Sequence, residues 1–468
     1  MLLALVWLSC AWFGSWPFNP NNATRMFAAI AIAETGDARI DAFADMTIDK
    51  ARFDGHFYLD KAPGMTLMAV PAVALGNALT DIRSSDVQRV FEGAGLSRYL
   101  TLRQRLVTAG LVALLTALAS VALLDLVGRA TGSRGAGLFA ALAYALGGPV
   151  WGWSTTLFGH APVAALLVLA TWAVWRGTGT AARPARHAAL AGALLGWALV
   201  IEYSALLTAL PIALWALWRS RHLPAADKRR CYLVAAAAGT AALLPLIGYN
   251  LLAFGTPFRL GYSGVVGFEG MQQGLFGLTY PKLDVLYGIT FGSRRGMLWV
   301  APVMLLAPFG FWTLMRNPAT RDLGLLALAV TLVAFLYNAS YAYWDGGNST
   351  GPRHAVPALG FLAIASGALW ASADRWERAL AALLLAASIA ISLVIAATEI
   401  MAPTDYQDPL RDLIWTRLFL NGQLRTLPSE FWGWQPWSGL HLYLALASLL
   451  CVAILWSLRR ERRLRQHC

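Results

Sequence analysis

The sequence predicts an all-α polytopic membrane protein with about twelve transmembrane helices (11–13) and a long first outer loop containing interfacial helices. Three observations predict it. Of 468 residues 58% are hydrophobic and only 13% charged, with a mean hydropathy of +0.55; a water-facing surface needs far more charge. Apolar runs reach the length of about 20 residues that a helix needs to span hydrocarbon. They cover 1–17, 63–82, 106–128, 136–152, 160–176, 188–218, 231–255, 296–314, 322–342, 353–372, 376–397 and 439–458. Basic residues, finally, gather in short connecting segments.

That gathering explains the net charge of +12. Arg219, Arg221, Lys228, Arg229 and Arg230 share one loop, and Arg459, Arg460, Arg462, Arg463 and Arg465 share the tail 459–468. Positive residues mark cytoplasmic segments. Short loops between membrane helices offer no continuous basic face, which argues against a nucleic-acid partner. Cys10, Cys231, Cys451 and Cys468 lie beside membrane helices or in the tail, without a CxxC pair. No disulfide framework and no zinc site are indicated. The first helix lacks a basic flank and a small-x-small site before Asn19, so it is expected to be retained.

Read as one transmembrane domain over 1–468, the chain alternates back from the cytoplasmic tail. Segments 398–438, 343–352 and 256–295 fall outside, and 373–378, 315–322 and 219–230 inside. The N-terminal half has a parity conflict, because loop 18–62 outside and 219–230 inside require an odd number of crossings. Splitting 188–218 into 188–201 and 203–218 gives six. One long tilted helix over 188–218 restores parity but leaves Arg129, Arg134, Arg176, Arg183 and Arg186 outside. A re-entrant segment at 63–82 moves them inside. The sequence allows both.

In the first outer loop, Phe27, Ile30 and Ala31 recur at helical spacing, predicting an amphipathic helix over Asn22–Glu34 on the interface, ended by Gly36. The loop holds Glu34, Asp37, Asp41, Asp45, Asp49, Asp54 and Asp60, more than a quarter of the 25 acids. Asp54-Gly55 signals a turn. Asp60 and Lys61 reach the membrane surface beside an apolar run, where charges need partners; Glu34 and Asp37 are expected to face water. A second cluster is YAYWDGGNSTGPRHAVPALGFL, with Asp345, Arg353 and His354 ahead of a helix whose first turn favours an anion. A third is FGSRRGMLWVAPV, where Arg294 and Arg295 have no acid nearby in sequence and a bound anion would balance them. Glu202 interrupts an apolar run, and a carboxylate there is a functional candidate. His160 reads as a satisfied interfacial histidine. Trp432, Trp434 and Trp437 read as an aromatic belt.

These motifs resemble the GT-C glycosyltransferases, in particular bacterial relatives of protein O-mannosyltransferases and of the lipid A aminoarabinose transferase. The resemblance rests on Tyr58-Leu59-Asp60-Lys61-Ala62-Pro63-Gly64 closing the first loop, on Trp344-Asp345-Gly346-Gly347 with Gly351-Pro352-Arg353, and on Ser293-Arg294-Arg295-Gly296. It implies inverting sugar transfer from a polyprenyl-phosphate donor to an envelope lipid, glycan or protein acceptor, at the periplasmic face of a bacterial inner membrane. Membrane lipids surround the chain, and no cofactor is implied; a divalent cation is compatible with the reaction but not indicated by the residues. A first-loop aspartate would act as base, while Lys and Arg hold the departing phosphate. Relatives carry Asp or Asp-Glu where this chain has Asn21-Asn22, and asparagine is no base. Asp49 is the preferred substitute, then Asp41. Tyr58, Asp60, Lys61, Arg294, Arg295, Asp345, Arg353 and His354 are the expected substrate-binding residues. Two rival classes stay open: a transporter or flippase of a lipid-linked or anionic solute, and a GT-C-like scaffold without activity.

Overall fold

A computed structural model describes residues 1–179 and 183–466, without the side chains of 458–466. The arginine side chains expected in the basic tail, and Cys468, therefore lie outside the described residues. The chain is a multi-pass membrane protein built of helices. Seven described helices are long and apolar enough to cross a bilayer: Ala94–Thr131, Pro184–Ile201, Ala225–Phe254, Arg321–Ser340, Arg353–Ser372, Arg375–Ala397 and Pro436–Ser457. Leu2–Trp12, Gly64–Thr80 and Ala205–Ser220 are shorter apolar helices.

The remaining apolar runs fold in pieces. Arg134–Ala145 stops before Gly147-Gly148 and Val150–Trp153 follows, and His160–Gly177 is one helix. Run 296–314 divides into Met297–Val300, a 3-10 turn at Pro302–Leu306 and Ala307–Arg316. A proline removes a backbone donor and cannot continue a helix smoothly.

Run 188–218 is not one tilted helix. Pro184–Ile201 ends where Glu202 turns extended (φ −147°, ψ 121°), and a new helix runs over Ala205–Ser220. The break has a cause: the Glu202 carboxylate is drawn 3.0 Å from Arg25. Gly64 also packs against the Ile201 backbone, where a Cβ would stand 2.6 Å from Ile201 N.

The helix expected over Asn22–Glu34 is present as Pro20–Thr35. Asn19 caps it by accepting from Asn21 N at 3.1 Å, and Gly36 ends it at φ 69°, the left-handed conformation glycine adopts freely. It does not lie on the interface with one wet face, because every residue from Asn21 to Ala31 is buried. Its companion Gly64–Thr80 runs alongside. Both begin near the cavity holding Arg25 and Lys61, and their far ends are tied by Asn77 Nδ2 donating to Glu34 at 2.9 Å. Pro71, Ala74, Leu75, Ala78 and Leu79 form an exposed apolar stripe on the second helix, at the spacing of a helix lying in a membrane surface. Such a stripe supports the re-entrant alternative for 63–82. Ala94–Thr131 then starts beside Glu34, which accepts from Tyr99 OH at 2.7 Å.

At the opposite end, Arg219 pairs with Asp322 and donates to Thr178 Oγ1 at 2.7 Å. Asp125 holds both Arg129 and Arg176. Arg129, Arg176 and Arg219 thus share one end of the bundle. Trp432 and Trp434 are exposed, 64% and 46%, as an aromatic belt requires.

Candidate functional site

The only described sheet is a hairpin, Ala51–Phe53 paired with His56–Tyr58, turning at Asp54 (φ 51°) and Gly55 (φ 88°). Asp41 steadies it: its Oδ1 accepts from Phe57 N at 2.6 Å and its Oδ2 meets His56 Nδ1 at 2.7 Å. The hairpin folds the first loop back so that Asp49, before it, and Asp60, after it, flank one lysine. Lys61 Nζ lies 3.4 Å from Asp49 Oδ2 and 2.6 Å from Asp60 Oδ2. Burial works to lower the Lys61 pKa, but the two carboxylates outweigh it and hold it above the ordinary lysine value. The amine stays charged.

These residues line a polar cavity of about 120 Å3. The first loop contributes Asn21, Arg25, Asp49, Asp60 and Lys61, and residues 337–354 contribute Arg353, His354 and glycines Gly346 and Gly347. Tyr262, Tyr337, Tyr341 and Tyr343 form an aromatic wall. Each ring offers an apolar face and a polar tip.

Several buried polar atoms at the cavity have no hydrogen-bond partner among the described residues: Asn21 Oδ1, Asp60 Oδ1, Arg25 Nε and Nη1, Arg353 Nε and His354 Nε2. Such atoms are costly to bury unmet, and a polar ligand or water in the cavity would satisfy them. Arg25 and Arg353 both approach the Phe158 ring, at 6.0 and 5.0 Å from its centroid. His354 meets the rings of His160 and Tyr341 edge-on, with centroids 5.3 and 5.1 Å apart. No three His, Cys, Asp or Glu side chains among the described residues converge on a point that would hold a metal ion.

Five of the expected site residues, then, share the cavity: Asp49, Asp60, Lys61, Arg353 and His354. The other five do not line it. Asp41 is 42% exposed and is spent on the hairpin. Tyr58 is buried against Phe53 and Phe254. Arg294 is not an unbalanced cation, because Asp345 Oδ2 lies 3.2 Å from its guanidinium. Arg295 is buried and donates to the carbonyls of Arg294, Asp345 and Gly347 at 3.0, 2.7 and 2.8 Å. Asp345 also accepts from Gly347 N at 3.1 Å. The three residues clasp the loop that carries Gly346 and Gly347 into the cavity wall. Arg353 and His354 sit on a 3-10 turn, Arg353–Ala358, not on the first turn of an α-helix.

Asn21 lines the cavity, while Asn22 is structural: it accepts from Leu157 N at 2.9 Å and donates to Trp16 O at 3.0 Å. His160, read as an interfacial histidine, also lines the cavity. Arg25 and the tyrosines escaped the sequence reading. Tyr341 and Tyr343 stand inside the YAYWDGG segment already singled out, but Arg25, Tyr262 and Tyr337 carry no local signal.

No protein-family model and no curated protein matches the chain. Solved structures match in fold. ArnT from Cupriavidus metallidurans, solved bound to undecaprenyl phosphate, matches with a TM-score of 0.50 at 15% identity, over 85% of this chain and 64% of that one. The archaeal oligosaccharyltransferase AglB from Archaeoglobus fulgidus, solved with an inhibitory peptide and a dolichol-phosphate, matches with a TM-score of 0.50 at 12% identity, over 86% of this chain and 56% of that one. The chain spans less than two thirds of either neighbour. At these identities the likeness is one of fold alone.

Proposed function

We propose that the chain is a glycosyltransferase that moves a sugar from a polyprenyl-phosphate carrier to a lipid, glycan or protein acceptor at the periplasmic face of a bacterial inner membrane. The observation that carries this reading is the meeting, in one cavity, of a carboxylate beside a charged lysine and of arginine donors left without partners. In the reaction Asp49 takes the proton of the acceptor hydroxyl. The hydroxyl oxygen attacks the anomeric carbon from the face opposite the phosphate, the carbon–oxygen bond to phosphate breaks, and the configuration inverts. Lys61 and Arg353 hold the negative charge that grows on the leaving polyprenyl phosphate. The tyrosine wall gives a sugar ring flat apolar faces with hydroxyl tips in reach of its own hydroxyls.

One observation favours a non-catalytic reading. Asn21 lines the cavity where the GT-C resemblance implies an aspartate. A single experiment separates the two: the purified protein is offered polyprenyl-phosphate-linked sugars together with an envelope extract. Acceptor-dependent release of free polyprenyl phosphate supports transfer. A folded protein that binds undecaprenyl phosphate but releases nothing from any donor is a scaffold.

A further inference from the structure

We infer that Arg25 and Glu202 act as one unit of this cavity: Arg25 is an additional anion-holding cation, and Glu202 is the residue that positions it. The inference rests on the cavity's being a phosphate-binding site and adds to it two residues from separate parts of the chain. Arg25 is 1% exposed on the buried helix Pro20–Thr35. One nitrogen of its guanidinium, Nη2, meets Glu202 Oε1 at 3.0 Å, while Nε and Nη1 have no partner among the described residues. A guanidinium anchored through one nitrogen keeps its orientation and offers the other nitrogens to an oxyanion. Arg353, whose Nε is likewise unmet, shares the Phe158 ring with it. Lys61, by contrast, divides its charge between Asp49 and Asp60. The donors free to receive a phosphate are therefore chiefly those of the two arginines.

Glu202 is seated deliberately. It occupies the extended residue between Pro184–Ile201 and the next helix, and Gly159 clears its place: a Cβ there would collide with the Glu202 side chain. A carboxylate so placed in an apolar run costs stability unless it is paired. Pairing it with Arg25 fixes the arginine in turn. The ligand chemistry is a tetrahedral phosphate anion, either carried on a lipid or free in solution.

Binding of three probes to the purified full-length protein tests this: undecaprenyl phosphate, phosphatidylglycerol and inorganic phosphate. The double variant Arg25→Met/Glu202→Gln removes both charges and leaves no unpaired buried ion. It is expected to bind undecaprenyl phosphate about tenfold or more weakly, the loss of charge-assisted contacts. Arg25→Lys keeps the charge but loses the fork, and a smaller loss is expected. Glu202→Gln should weaken binding in the wild-type background and not in Arg25→Met, since it acts through Arg25; a merely structural glutamate would act equally in both. Wild-type affinity in the double variant, or equal effects of Glu202→Gln in the two backgrounds, overturns the inference. If the double variant does not fold, unchanged affinity in Arg25→Lys overturns it instead. Wild-type binding of inorganic phosphate as tight as that of undecaprenyl phosphate, lost in the double variant, keeps the unit and removes the polyprenyl-carrier reading.

Discussion

Asp49, the proposed general base, lines the cavity, with its carboxylate 3.4 Å from Lys61. Asp49→Asn is expected to lower transfer by about 10²–10⁴-fold while undecaprenyl phosphate still binds, read by paired activity and binding assays. Retained activity would return the role to another acid. Lys61→Ala and Arg353→Ala should each reduce transfer by about one to several orders of magnitude, because a charge-assisted contact is worth about 1.5–3 kcal/mol. The two should differ in stability. Removing Lys61 strands Asp49 and Asp60 without their shared cation, so its Tm should fall; Arg353→Ala strands no such pair and should unfold near wild type. Where the residues meet was partly legible. Asp49, Asp60 and Lys61 lie within a dozen positions, and one hairpin brings them together. Arg294 misled because its partner Asp345 is 51 residues away, a distance over which sequence neighbours say nothing. Arg25 was hidden because a single arginine on a helix looks the same whether its face is wet or buried.

Glu34 shows the same ambiguity in a whole element. Expected to face water, it instead ties three helices: it accepts from Ser84 N at 3.0 Å, Ser84 Oγ at 2.6 Å, Tyr99 OH at 2.7 Å and Asn77 Nδ2 at 2.9 Å. Burial raises its pKa, but the hydrogen bonds from Ser84, Tyr99 and Asn77 outweigh burial and hold it below the ordinary glutamate value. A carboxyl depressed in the folded state adds stability above its unfolded pKa, and loses it as pH falls through the folded value. Glu34→Gln should therefore lower stability by about 1–3 kcal/mol at neutral pH and flatten the acid side of the Tm profile. A variant with unchanged Tm across that range would reject the clamp. The helices Pro184–Ile201 and Ala225–Phe254 depend on a different device. A Cβ on Gly196 would stand 2.5 Å from Gly239 O, so the backbones touch as small residues permit in membranes. Gly196→Leu should lower Tm, whereas Leu at Gly248, where a Cβ meets nothing, should not. Element type was readable from apolar length alone. The break at Glu202 was not, since it depends on Arg25 reaching across from another helix.

Across the whole molecule, contacts between distant residues decide what hydropathy left open. The parity conflict arose from counting 63–82 as a crossing beside two helices in 188–218. With Gly64–Thr80 lying beside Pro20–Thr35 and the chain breaking at Glu202, Arg176 and Thr178 fall at the same end as Arg129 and Arg219. A shallow apolar groove joins Met1 and Leu2 to Arg134 and Ser457, which brings the start of the first helix and the late part of the last one to one level of the bundle. The basic connections then share a side, as cytoplasmic segments do. Glu399, Arg425 and Glu430, from the long loop 398–438, pack instead near the far end of the first helix, where Arg105 meets Glu430 and Trp16 N donates to Glu399 at 2.9 Å. Cysteine labelling from either side of the membrane tests this arrangement in a background without the four native cysteines. Arg183→Cys and Gln466→Cys should label together from the cytoplasmic side, and Ser429→Cys only from the other. The placement of residue 183 discriminates, because a single tilted helix over 188–218 would put it with Ser429. Labelling of Arg183→Cys from the side that labels Ser429→Cys would reject the re-entrant first loop. It would also remove the physical reason for Arg25, Lys61 and Glu202 to share a cavity.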